Sequence, residues 1–76
     1  MLDIYVQRRL KMLLDNLGIS QREFAIMIDS TDSAVSRYLN GERIPTTLTL
    51  IQIANATGVS PNWILGFGTD DVMERV

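Results

Sequence analysis

The sequence predicts an all-α fold, a compact bundle of five short helices in a single domain spanning residues 1–76. Three observations predict it. Apolar residues recur at helical spacing in each segment. Four segments begin beside a Ser or Thr that can cap a helix start, at Ser20, Thr31, Thr46 or Thr47, and Ser60, and glycines at 18, 41 and 58 stand where helices would end. The connections are only about two to six residues long, as in packed helical domains.

The opening stretch LDIYVQRRLKMLLDNLG places apolar residues at Tyr5 or Val6, Leu10, Leu13 or Leu14, and Leu17. That spacing is a helix of about four turns. Gly18 ends it, and Ile19 can pack back as a hydrophobic staple ahead of a cap at Ser20. Arg8, Arg9 and Lys11 are expected on its polar side, either as a solvated face or as phosphate contacts.

Residues 20–41, SQREFAIMIDSTDSAVSRYLNG, read as two short helices joined by a tight turn, a helix-turn-helix around which the rest of the chain is organised. Ser20 and Glu23 form a capping box, the hydroxyl accepting from a free amide while the carboxylate reaches back to the Ser20 amide. Phe24, Ala25 and Ile28 share the inward face, leaving Gln21, Arg22 and Asp29 to water. Asp29, Ser30 and Thr31 then interrupt the helix, because short polar side chains compete with helical hydrogen bonding. With Thr31 as cap, the next helix turns Val35, Tyr38 and Leu39 inward and Asp32, Ser33, Ser36, Arg37 and Asn40 outward. Gly41 supplies a left-handed end.

Pro45 prevents a helix from running through residues 42–45. A fourth helix is expected from about Thr47 to Thr57, with Leu50, Ile53, Ala54 and Thr57 on one face and Leu48 and Ile51 on a neighbouring one. Gly58 closes it. Ser60 caps, and Pro61 opens, a short fifth helix carrying Trp63, Ile64 and Leu65. Gly66 and Gly68 loosen the chain around Phe67, and the acidic tail at about 68–76 is expected to be partly frayed.

The chain has no Cys and no His, which excludes disulfides, a zinc site and Cys/His catalysis. No nucleophile, base or metal ligand accompanies Asp70 and Asp71, so neither an enzyme nor any metal or cofactor is expected. No apolar run approaches the roughly 18 residues of a membrane span, and a signal peptide's apolar stretch is missing, so the expected location is cytoplasmic. The net charge of −2 speaks against a nucleic-acid partner. Its distribution softens that objection. Residues 1–67 carry six basic and six acidic side chains, whereas the last nine hold Asp70, Asp71 and Glu74 against Arg75. A neutral body binds phosphates weakly as a single copy, so two copies on two half-sites are expected.

The stretch RRLKMLLDNLGISQREFAIMIDSTDSAVSRYLNGERIPTTLTLIQIANATGVSPNWILG resembles the Xre type of helix-turn-helix domain, the class of phage Cro and repressor proteins. The resemblance rests on Leu-Gly-Ile-Ser-Gln at 17–21, Ala25, Val-Ser-Arg-Tyr at 35–38, Asn-Gly-Glu-Arg-x-Pro at 40–45, Ile-Ala at 53–54, and Gly-Val-Ser-x-x-Trp-Ile-Leu at 58–65. No piece alone is diagnostic; their order and spacing carry the match. It implies a lambda-repressor-like bundle and a sequence-specific regulator of transcription, a repressor of phage or mobile-element type. The helix at 32–40 would enter the major groove of double-stranded DNA, as a homodimer on a pseudo-palindromic operator.

Carried over by position, the base readers would be Asp32, Ser33 and Arg37, with Ala34 or Ser36 near a thymine methyl. Arg37 can donate to both O6 and N7 of guanine, or else meet a phosphate or an acidic neighbour. Asp32 has two readings: a carboxylate favoured at the positive end of the helix dipole, or an acceptor for cytosine N4. The phosphate-facing positions are Ser20 and Gln21 with the free amides beside them, and Asn40 and Arg43 beyond the recognition helix. Arg22 is either a phosphate contact or a partner of a nearby acid. One departure stands out. Many members carry Arg and Glu where this chain has Leu14 and Leu39, and a matched apolar pair avoids the desolvation cost of two charges. Leu48 also stands where a polar residue is usual, and Thr47 where Leu is.

That exchange turns apolar surface outward. Leu48, Ile51, Trp63, Ile64 and Phe67 are expected either to close the base of the core, preferred for Ile64 and Leu65, or to form a self-association patch, with Leu48, Ile51 and Phe67 as the candidate dimer interface. A different class of function fits the same fold: a protein-interaction module, such as an antitoxin binding its toxin. The acidic balance and Asp32 support it. Salt-dependent duplex binding would separate the two.

Overall fold

A computed structural model describes residues 2–69 and 73–75, with side chains from Ile4 onward. Among them are five helices: α1 (Leu2–Leu17), α2 (Gln21–Met27), α3 (Asp32–Leu39), α4 (Thr47–Thr57) and α5 (Pro61–Ile64). The fourth helix has the bounds expected from its periodicity and flanking threonines. Helix α3 packs against both α1 and α2, and α5 against α1 and α4.

Short helices need their free backbone groups satisfied from outside, and here neighbouring residues do so. At the start of α2 the Ser20 hydroxyl accepts from the Glu23 amide at 3.1 Å, and the Ser20 amide donates to Glu23 Oε1 at 2.9 Å. Thr31, Thr46 and Ser60 accept in the same way at the starts of α3, α4 and α5. Behind α3, the Glu42 amide donates to the Arg37 carbonyl at 2.9 Å and the Gly41 amide to Tyr38 at 3.3 Å. This Schellman closure holds Gly41 at a φ of 75°.

The turn inside the helix-turn-helix closes likewise, but without glycine. The Ser30 amide donates to the Ala25 carbonyl at 2.8 Å and the Asp29 amide to Ile26 at 3.2 Å, with Asp29 at a φ of 55°. Aspartate is among the few side chains that tolerate this left-handed region. The turn therefore begins one residue earlier than the apolar spacing through Ile28 suggests.

The core gathers the residues that periodicity assigns to it. Val6, Leu10, Leu13, Phe24, Ile28, Val35, Ile53, Trp63 and Ile64 are buried, with Leu14, Ala25, Tyr38 and Leu50 beside them, and Val59, which no helical period assigned, joins them from the connector between α4 and α5. Leu17, Ile19, Leu39 and Leu65 pack on its margin. Trp63 and Ile64 thus close the core rather than joining an outer patch.

Arg9 departs from expectation. It is 2 % exposed, and its guanidinium donates to the carbonyls of Trp63 at 2.7 Å, Phe67 at 3.0 Å and Gly68 at 3.3 Å. The same group lies 4.6 Å from the Trp63 ring centroid, and Trp63 Nε1 in turn donates to the Thr69 carbonyl at 2.9 Å. The reason is register: Arg9 follows Val6 by three residues and precedes Leu13 by four, so it falls on the buried stripe of α1. Arg8 is exposed and lies over Tyr5 at 5.3 Å, and Lys11 is exposed. The expected cluster of three cations is therefore two.

The end of the chain departs as well. Val59 and Arg75 form an antiparallel bridge, the Ser60 amide donates to the Glu74 carbonyl at 2.8 Å, and the Arg75 guanidinium donates to the Thr57 carbonyl at 3.1 Å. Met73 packs on the core. Residues 73–75 are docked where fraying was expected, because the extended Val59–Ser60 connector supplies backbone groups to pair with; Asp70 and Asp71 lie outside the described residues. Gly66, at a φ of 107°, lets this region approach α1: a Cβ there would stand 2.8 Å from the Tyr5 ring.

Two outcomes test this architecture. Arg9→Ala strips a charged donor from the buried Trp63 carbonyl and the part-buried carbonyls of Phe67 and Gly68 and should cost about 3 kcal/mol or more in urea unfolding; wild-type stability would contradict the clamp. The Ser20 amide, and then the Ser20 hydroxyl, hold the Glu23 carboxyl below its ordinary value of 4.5, with desolvation opposing them. A carboxyl with a lowered folded pKa stabilises the fold above its unfolded value, and that contribution disappears as pH falls through the folded value. The difference in thermal midpoint between wild type and Glu23→Ala should therefore be full above about pH 4.5 and shrink below it. A difference constant from pH 7 to pH 2 would rule out a charge-dependent cap.

Candidate nucleic-acid interface

Helix α3 owes its two faces to its spacing. Val35 and Tyr38 are buried, whereas Asp32, Ser33, Arg37 and Asn40 are exposed and Ser36 is half-buried. These five polar residues follow one helical face, so every candidate base reader shares the outward side of one element. Thr31 caps the start, its hydroxyl accepting from the Ala34 amide at 3.0 Å. At the far end the Asn40 side-chain amide approaches the Ser36 hydroxyl at 3.5 Å.

The starts of α2 and α3 are joined. Gln21 Nε2 donates to Asp32 Oδ1 at 2.8 Å and lies 3.3 Å from the Asp32 carbonyl oxygen. Ser20, Gln21 and Arg22 therefore stand beside the first turn of α3, with Arg22 exposed and Gln21 half-buried. Arg43 is exposed beyond the Gly41 turn, past the other end of α3. The candidate phosphate contacts thus flank the recognition face in the chain, and Arg37 stands on that face itself.

Charge on this surface alternates rather than accumulates. Asp32 begins the helix and Arg37 lies in its last turn. Arg22 precedes Glu23, and Glu42 precedes Arg43. With Arg9 inside the core, the surface is one positive charge poorer than the net charge of −2 indicates.

The apolar surface lies elsewhere. Leu48 is 66 %, Ile51 47 % and Phe67 64 % exposed, with Leu48 and Ile51 three residues apart on one face of α4. Ile26, 73 % exposed, and Met27 add apolar surface at the end of α2. Sequence reasoning passed over both, although their spacing from Phe24, Ala25 and Ile28 turns them off the buried face. It also passed over the Gln21 to Asp32 bond, which spans eleven positions and has no local signature.

Among the described residues no group of three or more His, Cys, Asp or Glu is placed to hold a metal ion, and no helix is long and apolar enough to cross a membrane. The sequence model of a helix-turn-helix family matches residues 10–64, from the first helix through the last residue of α5. No characterised protein and no solved structure matches the chain. The family match spans most of the chain and takes in the whole capped helix pair: the protein belongs to the Xre type of helix-turn-helix family, whose domains bind double-stranded DNA in regulators.

Proposed function

We propose that the protein is a sequence-specific transcriptional repressor that inserts α3 into the major groove and works as a homodimer on a pseudo-palindromic operator. The observation that carries this reading is the outward face of α3. Asp32, Ser33, Ser36 and Arg37 line it with hydrogen-bonding groups on a helix held at both ends, the arrangement that reading base edges requires. Arg37 is the strongest reader, because its fork can donate twice to guanine. Ser20, Arg22, Asn40 and Arg43 are the backbone contacts that set register. Repression asks only that the operator be occupied.

Two features support a second copy. The balanced charge of the surface leaves one copy few phosphate contacts. A body of 28 × 23 × 22 Å also sits within one helical turn of duplex, about 34 Å, so a neighbour one turn along comes within reach. Leu48, Ile51 and Phe67 supply the apolar surface for that contact. The exposed Ile26 and Met27 favour a second reading, a protein partner of the antitoxin kind, in place of DNA.

Selection of bound sequences from a random duplex pool tests the leading reading. Wild type should enrich a palindrome. Arg37→Ala should lose about 1–3 kcal/mol of discrimination at one base pair per half-site while melting normally, since Arg37 is exposed. Unchanged selectivity in a folded variant would remove Arg37 from the readers, and no enrichment by wild type at any salt would favour the protein partner. Leu48→Glu should shift sedimentation from dimer towards monomer, and an unaltered profile would exclude that face.

A further inference from the structure

Gln21 and Asp32 open successive helices, and their side chains meet. The Gln21 amide can face Asp32 in one sense only: its oxygen, in the place of its nitrogen, would stand 2.8 Å from one acceptor and 3.3 Å from another. The nitrogen therefore faces Asp32. Its two hydrogens are the only donors of a glutamine side chain, and the two acceptors they meet, Oδ1 and the carbonyl oxygen, both belong to Asp32. What Gln21 leaves to the outside is its carbonyl oxygen. A carboxylate has no donor either, so the joined pair presents acceptors alone.

Phosphate is itself an acceptor, and so are the major-groove edges of guanine, with O6 and N7, and of thymine, with O4. Adenine offers the N6 amino group beside its own N7 acceptor, whereas cytosine offers the N4 amino group without such a neighbour. Resting on the reading of α3 as the groove-inserted helix, we propose that Gln21 is a positioning residue rather than a phosphate contact. With Asp32 it forms one acceptor-only reading unit that selects an amino-bearing base, cytosine ahead of adenine, at one position of each half-site.

The arrangement has a physical logic. Donation from Gln21 fixes the Asp32 side chain before DNA arrives, so less freedom is lost on binding. It satisfies one carboxylate oxygen and leaves the other to the base. The charge of Asp32 also opposes approach to phosphate, so it lowers binding of arbitrary duplex and discriminates against bases whose edges accept.

The test is selection from a random duplex pool at one salt concentration by wild type, Gln21→Ala and Asp32→Asn, each checked by thermal melting. Wild type should select cytosine at one position per half-site. Asp32→Asn gains a donor and should move that position away from cytosine, towards adenine, whose N6 and N7 suit an amide. Gln21→Ala should relax the same position by about tenfold and leave the other positions, and binding to an unselected duplex, unchanged. Gln21→Ala that weakens every sequence equally would make Gln21 a phosphate contact and overturn the unit. An Asp32→Asn motif identical to wild type would overturn it as well. A wild type that enriches nothing would remove the groove reading itself, and the unit with it.

Discussion

Very short helices are the constraint on which this fold depends. An α-helix leaves its first four amides and last four carbonyls without internal partners, so a helix of seven or eight residues, such as α2 or α3, is almost all ends. Neither would persist alone in water. Ser20 with Glu23, and Thr31, satisfy their starts, and the Asp29 and Gly41 turns their ends. Helix α5 is shorter still. Its Trp63 carbonyl, and those of Phe67 and Gly68 just beyond, are met from across the molecule by the Arg9 guanidinium.

Burying an arginine is costly unless its hydrogen-bonding capacity is used. Here the planar fork lies over the Trp63 ring and reaches three carbonyls, geometry that a lysine ammonium cannot reproduce. The result ties α1 to α5 behind the helix-turn-helix. Leu14 and Leu39 join α1 and α3 through the apolar core in place of the ion pair that the family resemblance would lead one to expect. Among the described residues the molecule thus keeps one buried charge, where it closes a backbone, and uses hydrocarbon where packing suffices.

These choices shape the recognition surface. Spending Arg9 inside lowers the positive charge available to phosphates, and Gln21 and Asp32 add a patch of acceptors at the front of α3. General affinity for duplex falls on both counts. On the proposed reading, sequence preference would then rest on the few groups of α3 that face bases, and occupancy on a second copy. A surface with little electrostatic attraction discriminates well because a wrong site has little to offer it.

The sequence by itself determined whatever depends on neighbours within about four positions. Ser20 with Glu23, Thr31, Ser60 with Pro61, and the glycines at 18, 41 and 58 set helix starts and ends, because a cap is made by residues beside the group it satisfies. Apolar period likewise assigned the buried and outward faces of α3. Only the tertiary structure decided which long-range partner each polar group found. Arg9 reads as surface by residue type and as core by register, and the Trp63 carbonyl that resolves the conflict lies 54 positions away. The pairing of Gln21 with Asp32, the return of residues 73–75 to Val59, and the division of Trp63 inside from Leu48, Ile51 and Phe67 outside are of the same kind. In each case the deciding contact joins segments that the helical period does not relate, and it exists only once the helices have packed.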